Sequence, residues 1–107
     1  MPMINIEFDD KVVSDKDILL LSNAIQKIVS ETTHIEDVFV YANCARIKVK
    51  IAPIEIFIRM SAHKINDRNK LVGEIKQKLS DWKIQSKFKH KINMSFIPMD
   101  WNIEIGI

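Results

Sequence analysis

The sequence lacks most of the features that mark specialised classes of protein. Cys44 is the only cysteine, which excludes an internal disulfide and fits the reducing cytosol. No stretch approaches the roughly 20 apolar residues that a membrane span requires, and the opening run MPMINIEF is too short and too soon charged for a secretory leader. A formal net charge of +2 gives no reason by itself to expect a nucleic-acid partner. We therefore expect a cytoplasmic protein without membrane association.

The sequence does contain enough apolar material for one core. Of its 107 residues, 47% are hydrophobic and 28% are charged, a composition typical of a folded domain and not of a disordered chain. The length is that of a single domain, for which about 100–150 residues is usual. We predict one domain over residues 1–107.

The first part of the chain has the pattern of a strand, a helix and a second strand. Ile4, Ile6 and Phe8 recur at every second position, which is the period of a strand with two different faces. Ser14 is suited to cap the helix that follows. One face of this helix is apolar and contains Ile18, Leu21, Ala24, Ile25, Ile28 and Val29. A second strand is predicted over 38–41, and a half-exposed strand over 46–51.

The same order of elements then repeats. Strand-like alternation returns after Pro53, at Ile54, Ile56, Ile58 and Met60. A helix from about Asn66 or Asp67 would bury Leu71, Ile75, Leu79 and Trp82, and the next strand contains Ile92, Met94 and Phe96. The two β-α-β units cover about 2–43 and 54–98. Since a crossover helix lets its two strands run parallel, we predict an α+β fold, with a four-stranded sheet and both helices on one face.

This arrangement leaves the other face of the sheet uncovered. The last residues also alternate, with apolar side chains at Trp101, Ile103, Ile105 and Ile107, which predicts a further short C-terminal strand. An uncovered sheet face and an apolar strand at the chain end both call for a partner. We therefore expect self-association, with the tail pairing onto a neighbouring subunit.

Pro2 at the head of the first strand, the two β-α-β units and the C-terminal strand together resemble the tautomerase superfamily. The most similar layout is the branch that includes macrophage migration inhibitory factor. The matching residues are Pro2-Met3, Pro53 and the run Ile92-Asn93-Met94-Ser95-Phe96; the ending Phe96-Ile97-Pro98-Met99-Asp100 also resembles an uncharacterised bacterial branch of short tautomerase-like proteins. The resemblance implies a homotrimer with its sheets inward, no cofactor, and a proline that moves a proton between carbon and oxygen of a small enol or keto acid.

Elementary chemistry supports this role for Pro2. The residue is small enough for Met1 to be clipped, which would leave a secondary amine at the new terminus. An α-amino group has a pKa of about 7.7–8.0, and burial in an apolar pocket lowers the pKa of a cation. A neutral amine near the working pH is what a general base requires. If Met1 is retained, the Pro2 nitrogen is an amide and cannot act as a base.

The other positions of the family's site carry different residues here. The lysine of the inhibitory-factor branch falls on Glu31, its tyrosine and asparagine fall on Asn93 and Ser95, and an arginine of the short-chain branch falls on Phe39. The substrate carboxylate or enolate needs a cation, for which the candidates are Lys11 or Arg59 of a neighbouring subunit. Asn93 and Ser95 are candidates for donating hydrogen bonds to the oxygen where charge develops.

Two other functions remain open at this point. One is a tautomerase-fold homotrimer without catalysis; the other is a binding module with a ferredoxin-like β-α-β-β-α-β sandwich, whose strands pair in a different direction. Nucleic-acid binding is not expected, although Lys83, Lys87, Lys89, His90 and Lys91 surround Phe88, because such charges are more often a solvated loop. His34, His63 and His90 each lack a neighbouring ligand at metal spacing, so no metal site is predicted.

Overall fold

A computed structural model describes residues 1–107 as an α+β fold, as the sequence predicts. The elements are β1 (Met3–Phe8), α1 (Asp15–Thr33), β2 (Phe39–Asn43), β3 (Ile54–Ser61), a 3₁₀ turn (Ala62–Lys64), α2 (Arg68–Ser86) and β4 (Asn93–Met99). Neither helix is long and apolar enough to cross a membrane.

The sheet has the strand order β2-β1-β3-β4. β1 runs parallel to β2 and β3 runs parallel to β4, whereas the two central strands β1 and β3 are antiparallel. Each helix is therefore the crossover of one parallel pair, which confirms the two predicted β-α-β units. The parallel pairs also exclude the ferredoxin-like alternative, which requires the opposite direction of pairing.

The core lies between the sheet and the two helices. β1 and β3 bury every second side chain toward the helices, namely Ile4, Ile6, Phe8, Ile54, Ile56, Ile58 and Met60. α1 buries Ile18, Leu21, Ile25, Ile28 and Val29 against them, and α2 buries Ile75 and Leu79. The predicted core residues Leu71 and Trp82 are only partly buried at its margin. α1 begins at the predicted cap, where the Ser14 hydroxyl accepts a hydrogen bond from the Asp17 backbone N–H at 3.2 Å.

The other face of the sheet has no helix over it; we call it the open face. Strand register places its side chains in rows across the strands, Phe39, Met3, Arg59 and Ile97 in one row and Tyr41, Asn5, Phe57 and Ser95 in the next. Phe39 and Tyr41 are 43% and 50% exposed in the single chain. An uncovered aromatic surface of this kind is typical of an interface with another subunit.

The prediction of a strand over 46–51 is wrong. Residues 44–53 form an irregular connection in which Ile47 and Val49 are 79% and 102% exposed. β2 ends and β3 begins at the same end of the sheet, and β1 lies between these two strands. The connection must therefore cross the end of β1, so it cannot lie alongside a strand in spite of its alternating sequence.

The tail after β4 also has no regular secondary structure in the single chain, although a short strand is predicted there. It is held at one point, where Trp101 Nε1 donates a hydrogen bond of 2.8 Å to the hydroxyl of Ser61. β4 is an edge strand and the tail leads away from it. No free strand of the same subunit lies beside the tail, so a strand here needs a second chain to supply the edge.

Candidate active site

Several elements of the fold meet at one end of the sheet, which we call the Pro2 end. β1 begins there, and β3 ends there because the two strands are antiparallel. α1 leads into β2 at this end and α2 begins at it, since each helix returns the chain along its own strand pair. The sequence predicts these elements individually, but only the pairing of β1 with β3 brings them together.

Pro2 lies at this end with its ring on the helix side of the sheet and less than 2% exposed. Its carbonyl accepts a hydrogen bond from the Phe39 backbone N–H at 3.2 Å, which fixes the start of β1 against β2. β1 and β3 pair through Met3 and Arg59, and continuing this register by one residue places Pro2 opposite Met60. In such a pair the Cβ atoms are about 4.5–5.5 Å apart. Met60 is therefore the immediate neighbour of Pro2 on the helix side.

A cavity of about 400 Å³ opens at the Pro2 end, and Met60 forms part of its wall. We call it the Pro2-end pocket. The C-terminal turn of α1, the segment after β3 and the first turns of α2 supply the rest of the lining. This volume is within the range of about 300–1,000 Å³ that small-molecule sites occupy. Met60 lines the pocket, whereas Pro2 itself does not.

The lining also contains His34, the lysines Lys64 and Lys70 and the carboxylates Asp67 and Glu74, none of which the sequence indicates as site residues. Of these, His34 and Lys64 are candidates for binding an anion. No carboxylate lies within 4.0 Å of either side chain. Asp67, which also lines the pocket, caps α2 by accepting the Lys70 backbone N–H at 3.1 Å. His34 ends α1 with a φ of 59°, a left-handed conformation that favours glycine. Neither residue has a sequence signal, because their proximity depends on the strand register.

The cationic candidates taken from the sequence lie on different parts of the subunit. Arg59 is at the Pro2 end but on the open face, where its Nη1 donates to Asn5 Oδ1 at 3.1 Å and its guanidinium lies 5.7 Å from the centre of the Phe57 ring. Lys11 is exposed in the turn after β1, at the opposite end of the sheet. Glu31, at the family's lysine position, lies near the end of α1 with Lys27 at 4.0 Å.

The two candidate hydrogen-bond donors lie on β4. Asn93 pairs in register with Glu55, at the end of the sheet away from Pro2. Ser95 pairs with Phe57, in the middle of the open face. Both are exposed. Within one subunit only Arg59 is therefore near Pro2, and Lys11, Asn93 and Ser95 would reach it only from a neighbouring subunit.

Comparison with known proteins finds similar structures but no similar sequence. The chain matches no protein-family model and no curated protein sequence. Among solved structures it is similar to malonate semialdehyde decarboxylase, with a TM-score of 0.68 and 7% identity over 98% of this chain and 92% of that chain. It is similar to 5-carboxymethyl-2-hydroxymuconate delta-isomerase, with a TM-score of 0.66 and 12% identity over 99% and 89% of the two chains.

A third solved structure bears on assembly. The chain is similar to a fused wild-type 4-OT asymmetric trimer, with a TM-score of 0.56 and 14% identity over 94% of this chain and 91% of that chain. All three similarities extend over nearly the whole chain, at identities too low to transfer a site residue by residue. The chain therefore has the fold of the tautomerase superfamily, as the resemblance in its sequence predicts.

Proposed function

We propose that this protein is a tautomerase or isomerase of a small enol or keto acid, with Pro2 as the general base. The observation that carries the proposal is the position of Pro2, buried at the head of a central strand and opposite Met60 of the Pro2-end pocket. Removal of Met1 would turn its nitrogen into a secondary amine. Apolar surroundings disfavour the protonated form of an amine, which leaves the neutral base that proton abstraction needs.

The structural neighbours support the same class of chemistry. The delta-isomerase acts on a hydroxymuconate, which is an enol acid, and the decarboxylase acts on malonate semialdehyde, a small carbonyl acid. Both substrates are small acids that carry a carbonyl or enol group. A substrate of this size fits a cavity of about 400 Å³.

The rest of the proposed site combines groups from more than one subunit. Arg59 or Lys11 of a neighbouring subunit would stabilise the enolate, and Asn93 and Ser95 would donate hydrogen bonds to its oxygen. The structure adds Lys64 and His34, which line the Pro2-end pocket of the same chain and would bind the carboxylate. Neutral donors stabilise developing charge less than a lysine does, so we expect slow turnover on phenylpyruvate-like enols.

We propose a homotrimer as the assembly, with the open faces inward. The fused 4-OT neighbour is a trimer, and the open face of this chain leaves Phe39 and Tyr41 half exposed. Sedimentation equilibrium should give about three times the chain mass of 12.5 kDa. Deleting residues 101–107 should weaken the assembly, since each buried aliphatic side chain contributes about 1.5–3 kcal/mol. A monomer at micromolar concentration would contradict the proposal.

The test of function compares two forms of the same chain, one that begins at Pro2 and one in which the proline nitrogen is acylated. Both are assayed on a panel of enol acids. Activity only in the clipped form supports Pro2 as the base, and equal rates would assign the activity to another group. Intact mass of protein from its native cell establishes whether Met1 is removed there, and a retained Met1 would refute the proposal.

A second candidate, a trimer with the same fold but no catalysis, is favoured by Glu31. A carboxylate where the inhibitory-factor branch has a lysine cannot stabilise an enolate, so the chain lacks that branch's electrophile. The activity assay distinguishes the catalytic from the non-catalytic candidate. Absence of turnover in both the clipped and the acylated forms, with the trimer intact, would support the non-catalytic candidate.

A further inference from the structure

A second cavity lies at the other end of the molecule from Pro2. It has a volume of about 410 Å³ and is bounded by the start of α1, the end of α2 and the segment between α2 and β4. Its lining includes Asp17, Trp82, Lys87, Phe88, Lys89 and His90, and we call it the His90 pocket. It lies on the helix side of the sheet, so covering the open face by another subunit would leave it accessible. The proposed function makes no use of it.

Three rings form one continuous aromatic wall in this pocket. The centroids of Trp82 and Phe88 are 5.1 Å apart with their planes tilted by 42°, and Phe88 meets His90 edge to face at 5.3 Å. All three are only partly buried, so ring surface remains open to a ligand. Partly exposed aromatic surface of this kind suits stacking against a planar ring, at distances typical of aromatic pairs.

The charge around this wall is predominantly positive. Lys87 and Lys89 line the pocket, and neither has a carboxylate within 4.0 Å. The one carboxylate of the lining, Asp17, is hydrogen-bonded to Nε2 of His90 at 3.1 Å. This contact joins residues that are 73 positions apart and fixes the imidazole between α1 and the segment before β4. An anion entering the pocket would meet the ammonium groups of Lys87 and Lys89, which outnumber the single carboxylate of Asp17.

Backbone conformation provides an independent observation at the same place. Lys87 ends α2 with a φ of 57°, a left-handed conformation in which a glycine would be unstrained. The turn is nevertheless well formed, since the Phe88 backbone N–H donates to the Lys83 carbonyl at 3.0 Å. The turn therefore holds the Lys87 backbone firmly at the rim of the aromatic cavity.

We propose that the His90 pocket binds a small molecule that combines a planar aromatic ring with a carboxylate or phosphate group. The ring stacks on Trp82 and Phe88, and the anionic group lies between the ammonium groups of Lys87 and Lys89. The volume of about 410 Å³ accommodates a ligand of one or two fused rings. Because the pocket and Pro2 lie at opposite ends of the sheet, this site is independent of catalysis.

The two tryptophans make the site directly measurable. Trp82 forms the wall of the His90 pocket, whereas Trp101 lies at the Pro2 end with Ser61. In a Trp101→Phe background, all indole fluorescence comes from Trp82. Titration with 2-naphthoate and with 2-naphthyl phosphate should perturb this fluorescence saturably, and the tighter of the two identifies the preferred anion. 2-Naphthamide, which lacks the charge, and cyclohexanecarboxylate, which lacks the ring, should each bind at least about tenfold more weakly.

A matched pair of variants separates the pocket from general effects on the fold. Lys87→Gly and His34→Gly each replace a left-handed residue at a helix C-terminus by glycine, but only Lys87 lines the His90 pocket. Lys87→Gly and Lys89→Ala should each weaken naphthoate binding by about tenfold, and His34→Gly should leave it unchanged. Equal weakening by His34→Gly, equal binding of the amide, or no saturation at millimolar ligand would overturn the proposal.

Discussion

The two β-α-β halves of this chain share a plan and differ in how firmly their helices are held. Both helices are 19 residues long, and both end in a left-handed residue that is not glycine, His34 in α1 and Lys87 in α2. α1 buries five side chains and α2 buries two. α1 also has Asp15 and Asp17 in its first turn, where carboxylates are favourable, whereas α2 has no acidic residue there. The core therefore holds the first half more firmly than the second.

The halves also differ at the start of their central strands, where each has a proline. Pro2 directly precedes β1 and Pro53 directly precedes β3. The Pro2 ring is buried on the helix side, whereas Pro53 is only half buried, and the residue after it, Ile54, is the one that faces the core. The nitrogen of Pro53 is always an amide because Ala52 precedes it. Of the two prolines that begin the central strands, only Pro2 can therefore have a basic backbone nitrogen.

The largest expected effect tests this difference between the prolines. If Pro2 is the general base, acylating its nitrogen should lower kcat/KM by about 10²–10⁴-fold on an enol acid that the protein turns over. This is the usual contribution of general acid–base catalysis. Pro53→Ala should leave kcat/KM within a few-fold of the parent, because its nitrogen has no basic form. Steady-state kinetics of the clipped chain measure both. A comparable loss from the two changes would mean that Pro2 acts through the fold alone.

The next largest effect is a difference in how much a leucine in each helix contributes to the free energy of unfolding. Leu21→Ala empties a fully buried site in α1 and should cost about 2–5 kcal/mol of the free energy of unfolding. Leu71→Ala in α2 removes a partly buried side chain at the margin of the core and should cost about 1 kcal/mol. Urea denaturation at one fixed protein concentration measures both. Equal losses would mean that assembly buries α2 further than the single chain does.

A smaller effect is expected at the two helix C-termini. A left-handed residue with a side chain is strained, so His34→Gly and Lys87→Gly should each raise the free energy of unfolding by about 0.5–1 kcal/mol, net of the extra freedom of glycine in the unfolded chain. Similar gains would indicate that neither side chain stabilises the fold. Should one variant lose stability instead, its side chain makes a stabilising contact that outweighs the strain.

The smallest effect concerns the connection between the halves. Lys48 in this connection pairs with Asp10, and their hydrogen bond holds the pKa of Asp10 below its ordinary 3.8 and raises the pKa of Lys48 above its ordinary 10.5. The lowered carboxyl pKa stabilises the fold above pH 3.8, and this stabilisation is lost as the pH falls below it. The raised lysine pKa stabilises the fold below pH 10.5, and this stabilisation is lost at higher pH.

Lys48→Met should therefore lower stability between these two pH values, and the difference from the parent should shrink outside them. The expected loss is below that of Leu71→Ala, since Asp10 is exposed and solvent screens the pair. Thermal melts in low salt, from about pH 2 to about pH 12, measure the difference. A difference that does not change with pH would assign the effect to packing of the lysine stem.

Much of the fold is determined by local patterns in the sequence. Alternation at Ile4, Ile6 and Phe8 fixes which face of β1 is buried, and the Ser14 side chain fixes where α1 begins, because both depend on residues close in sequence. α2 begins at Arg68, one or two residues after its predicted start at Asn66 or Asp67. The local pattern fails at 46–51, where the alternating residues form no strand, and the strand predicted at 101–107 depends on a neighbouring subunit for its partner. Alternation predicts a strand's faces but cannot supply its partner.

The candidate site depended on tertiary structure. The sequence by itself indicates Pro2 as a chemical group, but the pairing of β1 with β3 decides that Met60, His34 and Lys64 lie at the same end. It also decides that Lys11 and Asn93 lie at the other end. The contact between Asp17 and His90 joins positions 73 apart and has no local signal. Strand register is set by the packing of the whole core, so long-range neighbours follow from the folded molecule and not from spacing along the chain.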